Sequence, residues 1–194
     1  MSSVQEAKRA MRAAVRARRK EAARLCRDAA AALADGVVQS VRIAPQAAVA
    51  GYLPIGDEID VALLLRRLRG RGHDISLPAV VEAGTPLVFR RWQESDLLAD
   101  GPFGTRQPLP SAPAVLPDVV ILPLLAFDRR GYRLGYGSGY YDRTLAALRQ
   151  HREVTAIGVA YAAQEVPAVP CDRHDQTLDW IVTDRETIKP GSEA

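Results

Sequence analysis

Arg133, Leu134, Gly135, Tyr136, Gly137, Ser138, Gly139, Tyr140, Tyr141 and Asp142 fill ten consecutive positions inside the stretch VVILPLLAFDRRGYRLGYGSGYYDRTL, Val119 to Leu145. Glycine at every second position lets a loop take φ > 0 and approach a ligand with no Cβ in the way. Phosphate oxygens suit such a nest of N–H groups. Arg133 adds a cation, Tyr140 and Tyr141 add stacking rings, and Asp142 adds a hard oxygen ligand. Together they point to metal-assisted phosphoryl transfer, in which Mg²⁺ typically keeps several waters and takes one or two carboxylates. Asp175 or Asp179, from the next connection, is the expected second carboxylate. Each feature taken singly has a plainer explanation. Any tight turn accepts glycines, and an acid in the first turn of a helix gains roughly 0.3–1 kcal/mol from the dipole. Their coincidence favours a site.

Spacing removes three alternatives. A dinucleotide fingerprint needs glycine where Tyr140 stands, and a Walker loop needs Lys and Ser or Thr after its last glycine. Ser138 is no nucleophile elbow, because Tyr136 and Tyr140 occupy the flanking glycine positions. Elsewhere, Asp57 and Glu58 follow a candidate strand. A carboxylate there either accepts hydrogen bonds from the N–H edge of a heterocycle or is a solvated loop acid. Tyr52 reads as core. His174, between Asp172 and Asp175, is either catalytic or a surface-loop histidine.

These residues must be positioned by strands and helices. The apolar run Val119 to Leu125 predicts a buried strand, followed by a glycine loop and a helix from about Tyr140 to Gln150. Ser3 and Glu6 form a capping-box pattern before an alanine- and arginine-rich stretch with no internal Pro or Gly until Gly36, which fits one long helix or two consecutive ones. Lys8 and Arg12, four apart, project together from such a helix. Ala47 to Leu53 predicts another strand, with Asp60 capping a helix that Gly70 and Gly72 stop. DISLPAVV and Leu87 to Trp92 predict two more, the latter at an edge beside Pro86. Asp100 to Pro117 is too proline-rich for a helix or central strand and predicts an extended loop. Val154 to Tyr161 and a last short strand, Trp180 to Thr183, complete the chain. Alternating strands and helices predict a three-layer α/β/α single domain over residues 1–194, with a mainly parallel open sheet and an N-terminal basic helical segment.

The chain of 194 residues carries a net charge of +3. Residues 1 to 35 hold nine basic side chains against four acids, so the remainder is net −2. Such an arm meets nucleic acid, a membrane surface or an anionic ligand, although a solvated helix face is the commoner fate of such charges. An organelle transit peptide is disfavoured by Glu6 and by a composition that is not serine-rich. The two cysteines, Cys26 and Cys171, form no CxxC pair and the three histidines lack zinc spacing, which favours a reducing compartment, the cytoplasm. No apolar stretch reaches the ~20 residues of a membrane helix.

With these residues assembled, the chain resembles the 5-formyltetrahydrofolate cyclo-ligase (5,10-methenyltetrahydrofolate synthetase) family over essentially its whole length. The resemblance rests on Lys8 with Arg12, GYLPIGDEID, PLLAFDRRGYRLGYGSGYYDRTL, GVAYAAQ with the later VP and HD, and LDWIVT, in family order. It implies an enzyme that uses ATP and Mg²⁺ to convert 5-formyltetrahydrofolate to 5,10-methenyltetrahydrofolate, ADP and phosphate. The formyl oxygen attacks the γ-phosphate, and N10 then closes the ring as phosphate leaves. Carried over, Lys8, Arg12 and Arg133 to Tyr141 resemble ATP contacts, with Arg133 catalytic. Leu53, Glu58 and Tyr136 to Tyr140 resemble substrate contacts, and Asp142 and Asp179 match the Mg²⁺ positions. The folate would be the partner of a monomer, with neither nucleic acid nor membrane involved. Many relatives carry Lys where this chain has Ser138, which shifts phosphate neutralisation onto Arg133 and Lys8. Two rivals are a paralogue with the same ATP loop and another substrate, and a nucleic-acid-binding module built on the basic first helix.

Overall fold

A computed structural model describes residues 3–191. Two helices come first, α1 (Ser3–Leu25) and α2 (Ala29–Ser40), separated by a short break at Cys26. There follow β1 (Ala48–Ala50), α3 (Ala62–Gly70), β2 (Asp74–Ala79) and β3 (Val88–Arg91). A small ribbon, β4 (Leu98–Asp100) and β5 (Arg106–Pro108), leads to β6 (Val119–Pro123) and the hairpin β7 (Ala126–Phe127) and β8 (Arg133–Leu134). The chain closes with α4 (Tyr140–Arg149), β9 (Thr155–Val159), β10 (Trp180–Val182) and β11 (Thr187–Ile188).

Seven strands form one sheet in the order β11-β10-β9-β6-β1-β2-β3. Its five central strands, β10 to β2, are parallel, and β3 and β11 add antiparallel edges. Alternate side chains of the central strands serve opposite layers, as the two-residue period of a strand requires. Val49, Ile121 and Ile157 pack with α2 and α3, whereas Ala50, Val120, Leu122 and Ala156 pack with Leu145 of α4. The expected three-layer α/β/α arrangement with a mainly parallel sheet is therefore present. From β1 the chain moves outward to β2, whereas β6 lies on the other side of β1 and leads to β9. Strand order thus reverses between β1 and β6, and the crevice outside the carboxyl ends at such a reversal is where open α/β sheets hold ligands. Helix α1 covers that end. Val15 and Met11 pack on Leu125, Ala126 and Leu134, at the hairpin that leads into the glycine loop.

Several boundaries differ from expectation. Gly36 does not end a helix but lies within α2, where a Cβ would approach Val182 Cγ1 to 2.9 Å. Close packing of helix on sheet, rather than chain reversal, explains that glycine. Ser3 is the first residue of α1, and among the described residues no hydrogen bond closes the Ser3–Glu6 box. Asp60 does accept the N–H of Ala62 at 2.8 Å, one position ahead of the Val61 cap. The run Val119 to Leu125 leaves the sheet after Pro123, because the Leu125 N–H turns to the carbonyl of Leu134 in the hairpin. The proline-rich stretch expected as extended loop contains β5 and the last residue of β4, a ribbon outside the main sheet, where Pro108 ends the second strand and need not donate to a central ladder. Trp180–Val182 is not the last strand, since β11 pairs with it at the edge.

Candidate active site

A cavity of about 920 Å³ opens at the carboxyl ends of β1 and β6. Its walls come from α1, the loop after β1, the ribbon β4–β5, the glycine loop with α4, and the segment 172–176. Lys8, Arg12, Leu53, Glu58, Asp142 and every residue from Arg133 to Tyr141 line it. Asp179 is the exception. Its carboxylate accepts the N–H of Ala156 at 2.7 Å and Arg149 Nη2 at 2.9 Å, which ties the start of β10 to β9 and α4. Asp175, the other expected second carboxylate, does line the cavity.

The glycine loop takes the backbone its composition allows. Gly137 has φ +110° and Gly139, the residue preceding α4, φ +66°. Both make room for guanidinium groups. A Cβ on Gly137 would stand 3.2 Å from Arg12 Cζ, and one on Gly139 would stand 2.7 Å from Arg143 Nη1. Arg12 Nε donates to the carbonyl of Gly135 at 2.8 Å, and Arg143 Nη2 donates to that of Ser138 at 2.7 Å. Two arginines thus bracket the loop, neither of them paired there with a carboxylate among the described residues.

Arg133 and Lys8 are already partnered. Arg133, with its side chain buried, donates to Asp142 Oδ1 at 2.6 Å and to the carbonyl of Gln176. Burial lowers its pKa, against the opposing pull of Asp142, but a guanidinium remains charged in any working range. Asp142 Oδ1 also accepts the N–H of Gln176 at 3.0 Å, so both of the bonds to this carboxylate fall on one oxygen. Lys8 Nζ lies 2.6 and 2.8 Å from the two oxygens of Asp175 and 3.1 Å from Asp172. Burial disfavours the ammonium, yet the hydrogen bonds and charges of Asp175 and Asp172 outweigh that, and its pKa lies above the ordinary value.

At the far side of the glycine loop sits Glu58, buried, with Oε2 accepting the N–H of Ile55 at 2.8 Å and Oε1 the hydroxyl of Tyr136 at 2.8 Å. Burial pushes its carboxyl up, while those two bonds and the charge of Arg19 pull the other way. Glu58 is thus no solvated loop acid. Tyr52 is core, with its hydroxyl donating to the carbonyl of Ile59 at 2.7 Å, although its ring also reaches the cavity wall. His174 is exposed on the rim. Phe103, at the tip of the ribbon, faces Tyr140 edge-on with ring centroids 6.4 Å apart.

Sequence reasoning missed Arg16, Arg19, Phe103, Arg143 and Gln176. Arg16 and Arg19 were within its reach, because positions 8, 12, 16 and 19 share one face at helical spacing. No local signal marked the ribbon or Gln176, whose roles come from segments distant in sequence.

The model of the 5-formyltetrahydrofolate cyclo-ligase family matches residues 4–184. The chain belongs to this family. Among curated cyclo-ligases it is 35% identical to that of Escherichia coli over 141 residues, 70% of this chain and 76% of that one. It is 33% identical to that of Mycolicibacterium smegmatis over 150 residues, 72% and 75% of the two chains. The solved 5,10-methenyltetrahydrofolate synthetase of Aquifex aeolicus superposes with a TM-score of 0.76 at 27% identity, covering 96% of this chain and 94% of that one. Cyclo-ligase membership accounts for the expected fold, and the matched span contains every residue of the cavity wall named above.

Proposed function

We propose that this protein is an ATP-dependent 5-formyltetrahydrofolate cyclo-ligase of a single domain, which forms 5,10-methenyltetrahydrofolate and releases ADP and phosphate. One observation carries the reading: a single cavity joins a cation-bracketed glycine loop to a buried carboxylate, Glu58, with Tyr136 belonging to both ends. Members of the family couple ring closure to ATP, and the donors present fit a polyphosphate. Because Gly137 and Gly139 lack a Cβ, the guanidinium groups of Arg12 and Arg143 close on the loop backbone, where they can meet phosphate oxygens. A divalent cation fits as well. Among the described residues no group of three or more His, Cys, Asp or Glu forms a metal cage, but Mg²⁺ held through phosphates requires only one or two carboxylates. Asp142, whose Oδ2 accepts no hydrogen bond among the described residues, and Asp175 are assigned that role in place of Asp179. Mg²⁺ would neutralise the negative charge that phosphoryl transfer spreads over the equatorial oxygens.

The chain's own residues do the rest. Arg12 and the loop N–H groups orient the phosphates, and buried Arg133 fixes Asp142 while contributing charge at the reacting end. Glu58 accepts from the N–H edge of the pterin, and Leu53 with Tyr140 packs on the substrate. The formyl oxygen is itself the nucleophile, so no side-chain nucleophile is required. The stripe Lys8, Arg12 and Arg16 faces the cavity, which supports a small anionic ligand over nucleic acid for the basic helix. The cytoplasm, a monomeric state and the absence of a membrane partner belong to the same reading.

Coupled measurement of ADP release and methenyl absorbance with 5-formyltetrahydrofolate and MgATP tests it. Substrate-dependent ADP release is expected in step with the methenyl product, and Arg133→Ala and Asp142→Asn are expected to lower kcat strongly with the fold retained. Absence of ATP turnover with this substrate refutes the activity. ATP turnover with a different folate or carboxylate alone would support the paralogue.

A further inference from the structure

Arg19 is buried, yet it is not part of the cavity wall. Its Nη1 donates to the hydroxyl of Tyr136 at 2.6 Å, its guanidinium lies 5.4 Å from the centre of that ring, and it stands 4.0 Å from Glu58 Oε1. Tyr136 in turn donates to Glu58 Oε1 at 2.8 Å. Three elements, α1, the glycine loop and the loop after β1, therefore meet in one relay. A phenol has one proton and accepting lone pairs, whereas a guanidinium only donates. With Arg19 filling an acceptor position, the single Tyr136 proton is directed to Glu58.

The arrangement is costly for stability. Arg19 Nε is buried without a hydrogen-bond partner among the described residues, and an incompletely satisfied buried cation is disfavoured relative to an apolar side chain of similar length. What it accomplishes lies in the carboxylate it faces. Besides the Ile55 N–H, the titratable groups near Glu58 are Arg19 from α1, Tyr136 from the glycine loop, Tyr52 after β1 and Tyr141 from α4, and three of these four are neutral phenols. Arg19 supplies the positive charge in that set, beside a carboxyl that burial alone would push towards protonation.

We propose that Arg19 is a positioning residue for the folate end of the site, holding the Glu58 carboxylate, through Tyr136, in the orientation and ionised state that receives adjacent N–H donors of the pterin. The inference rests on the cyclo-ligase reading. It separates the two ends of the cavity functionally, since Lys8 and Arg12 on the same helix face serve the phosphates, while Arg19, seven residues beyond Arg12, serves the heterocycle. Tyr136 acts as the joint, with its hydroxyl committed to Glu58 and its backbone in the phosphate loop.

Four variants test this in the full-length protein: Arg19→Met, Arg19→Lys, Tyr136→Phe and the Arg19→Met/Tyr136→Phe double. Arg19→Met should raise the KM for 5-formyltetrahydrofolate about ten-fold, the effect of losing one hydrogen bond to a charged group, and leave kcat and the KM for ATP within about two-fold. Arg19→Lys should recover part of the loss. The double variant should be no worse than Tyr136→Phe alone, and as pH is lowered the folate KM of Arg19→Met should begin to climb at a higher pH than that of the wild type, because Glu58 without the facing cation protonates earlier. Equal increases in both KM values, or additive losses in the double variant, overturn the proposal. A ligand-free cycle keeps it distinct from the activity: in urea unfolding, Arg19→Met should be more destabilising, or less stabilising, in the wild type than in Glu58→Gln, because only the wild type has a carboxylate for Arg19 to face. If the wild type does not turn over 5-formyltetrahydrofolate, the activity is refuted, and this cycle alone decides the relay. Equal changes in both backgrounds overturn it.

Discussion

Replacing glycine by alanine at three positions of the loop should give three different results. Gly137, at φ +110°, lies outside the left-handed well, and its new methyl group would meet Arg12 Cζ at 3.2 Å. Non-glycine residues in such backbone regions cost roughly 1–3 kcal/mol, and displacement of Arg12 would also loosen its bond to the Gly135 carbonyl. Gly137→Ala should therefore lose about 2 kcal/mol of stability and raise the KM for ATP about ten-fold. Gly139, at φ +66°, sits in the left-handed well, where the penalty is roughly 1–2 kcal/mol, and its methyl group meets only the far end of the Arg143 side chain. An intermediate loss of stability is expected there. Gly135 has neither a positive φ nor any heavy atom within 4 Å of its Cβ position. Gly135→Ala should be neutral or slightly stabilising, by up to about 1 kcal/mol through the unfolded chain. Urea unfolding without ligand reads the three stabilities, and steady-state kinetics reads the KM. Equal stabilities for the three variants, or an unaltered ATP KM in Gly137→Ala, would refute the account of this loop.

Further predictions concern the carboxylates. Asp175→Asn should raise the Mg²⁺ concentration needed for half-maximal rate, whereas Asp179→Asn should leave it unchanged and lower stability instead, through the bonds to Ala156 and Arg149; the opposite pattern, read in Mg²⁺ titrations, returns the metal to Asp179. The Glu58 carboxyl is pushed up by burial, so between its ordinary and its folded pKa the native state binds the extra proton and stability falls with rising pH. Glu58→Gln should therefore raise Tm at pH above that window, flatten the pH dependence across it, and weaken folate binding at the same time. A Tm lower than wild type at mildly alkaline pH would contradict this.

Much of the site was legible because it is local. Gly135 to Asp142 lie together on one loop and helix start, and phosphate-friendly backbone follows from glycine spacing alone. Edge placement of β3 followed from Pro86, and the α/β alternation followed from strand-length apolar runs separated by helical ones. Contacts between distant segments were harder to read. Lys8 and Asp175 are 167 positions apart, and nothing in either neighbourhood says that α1 will lie across the carboxyl end of the sheet and bring them to 2.6 Å. Asp175 and Asp179 looked alike in one loop. Their fates diverge because Asp179 stands where β10 enters the sheet and is taken by the N–H of Ala156, while Asp175 is still outside it.

From its sequence alone this protein was determined to have a mainly parallel α/β sheet, a glycine loop suited to phosphates, and an acid at the start of the following helix. These depend on backbone freedom and side-chain period, which are properties of neighbouring residues. Only the tertiary structure decided which cations remain available to a ligand, which carboxylate faces the cavity, and that Arg19, Tyr136 and Glu58 form one unit. Those outcomes depend on burial and on charge at distances of a few ångströms, and packing sets both between segments that the chain order keeps far apart.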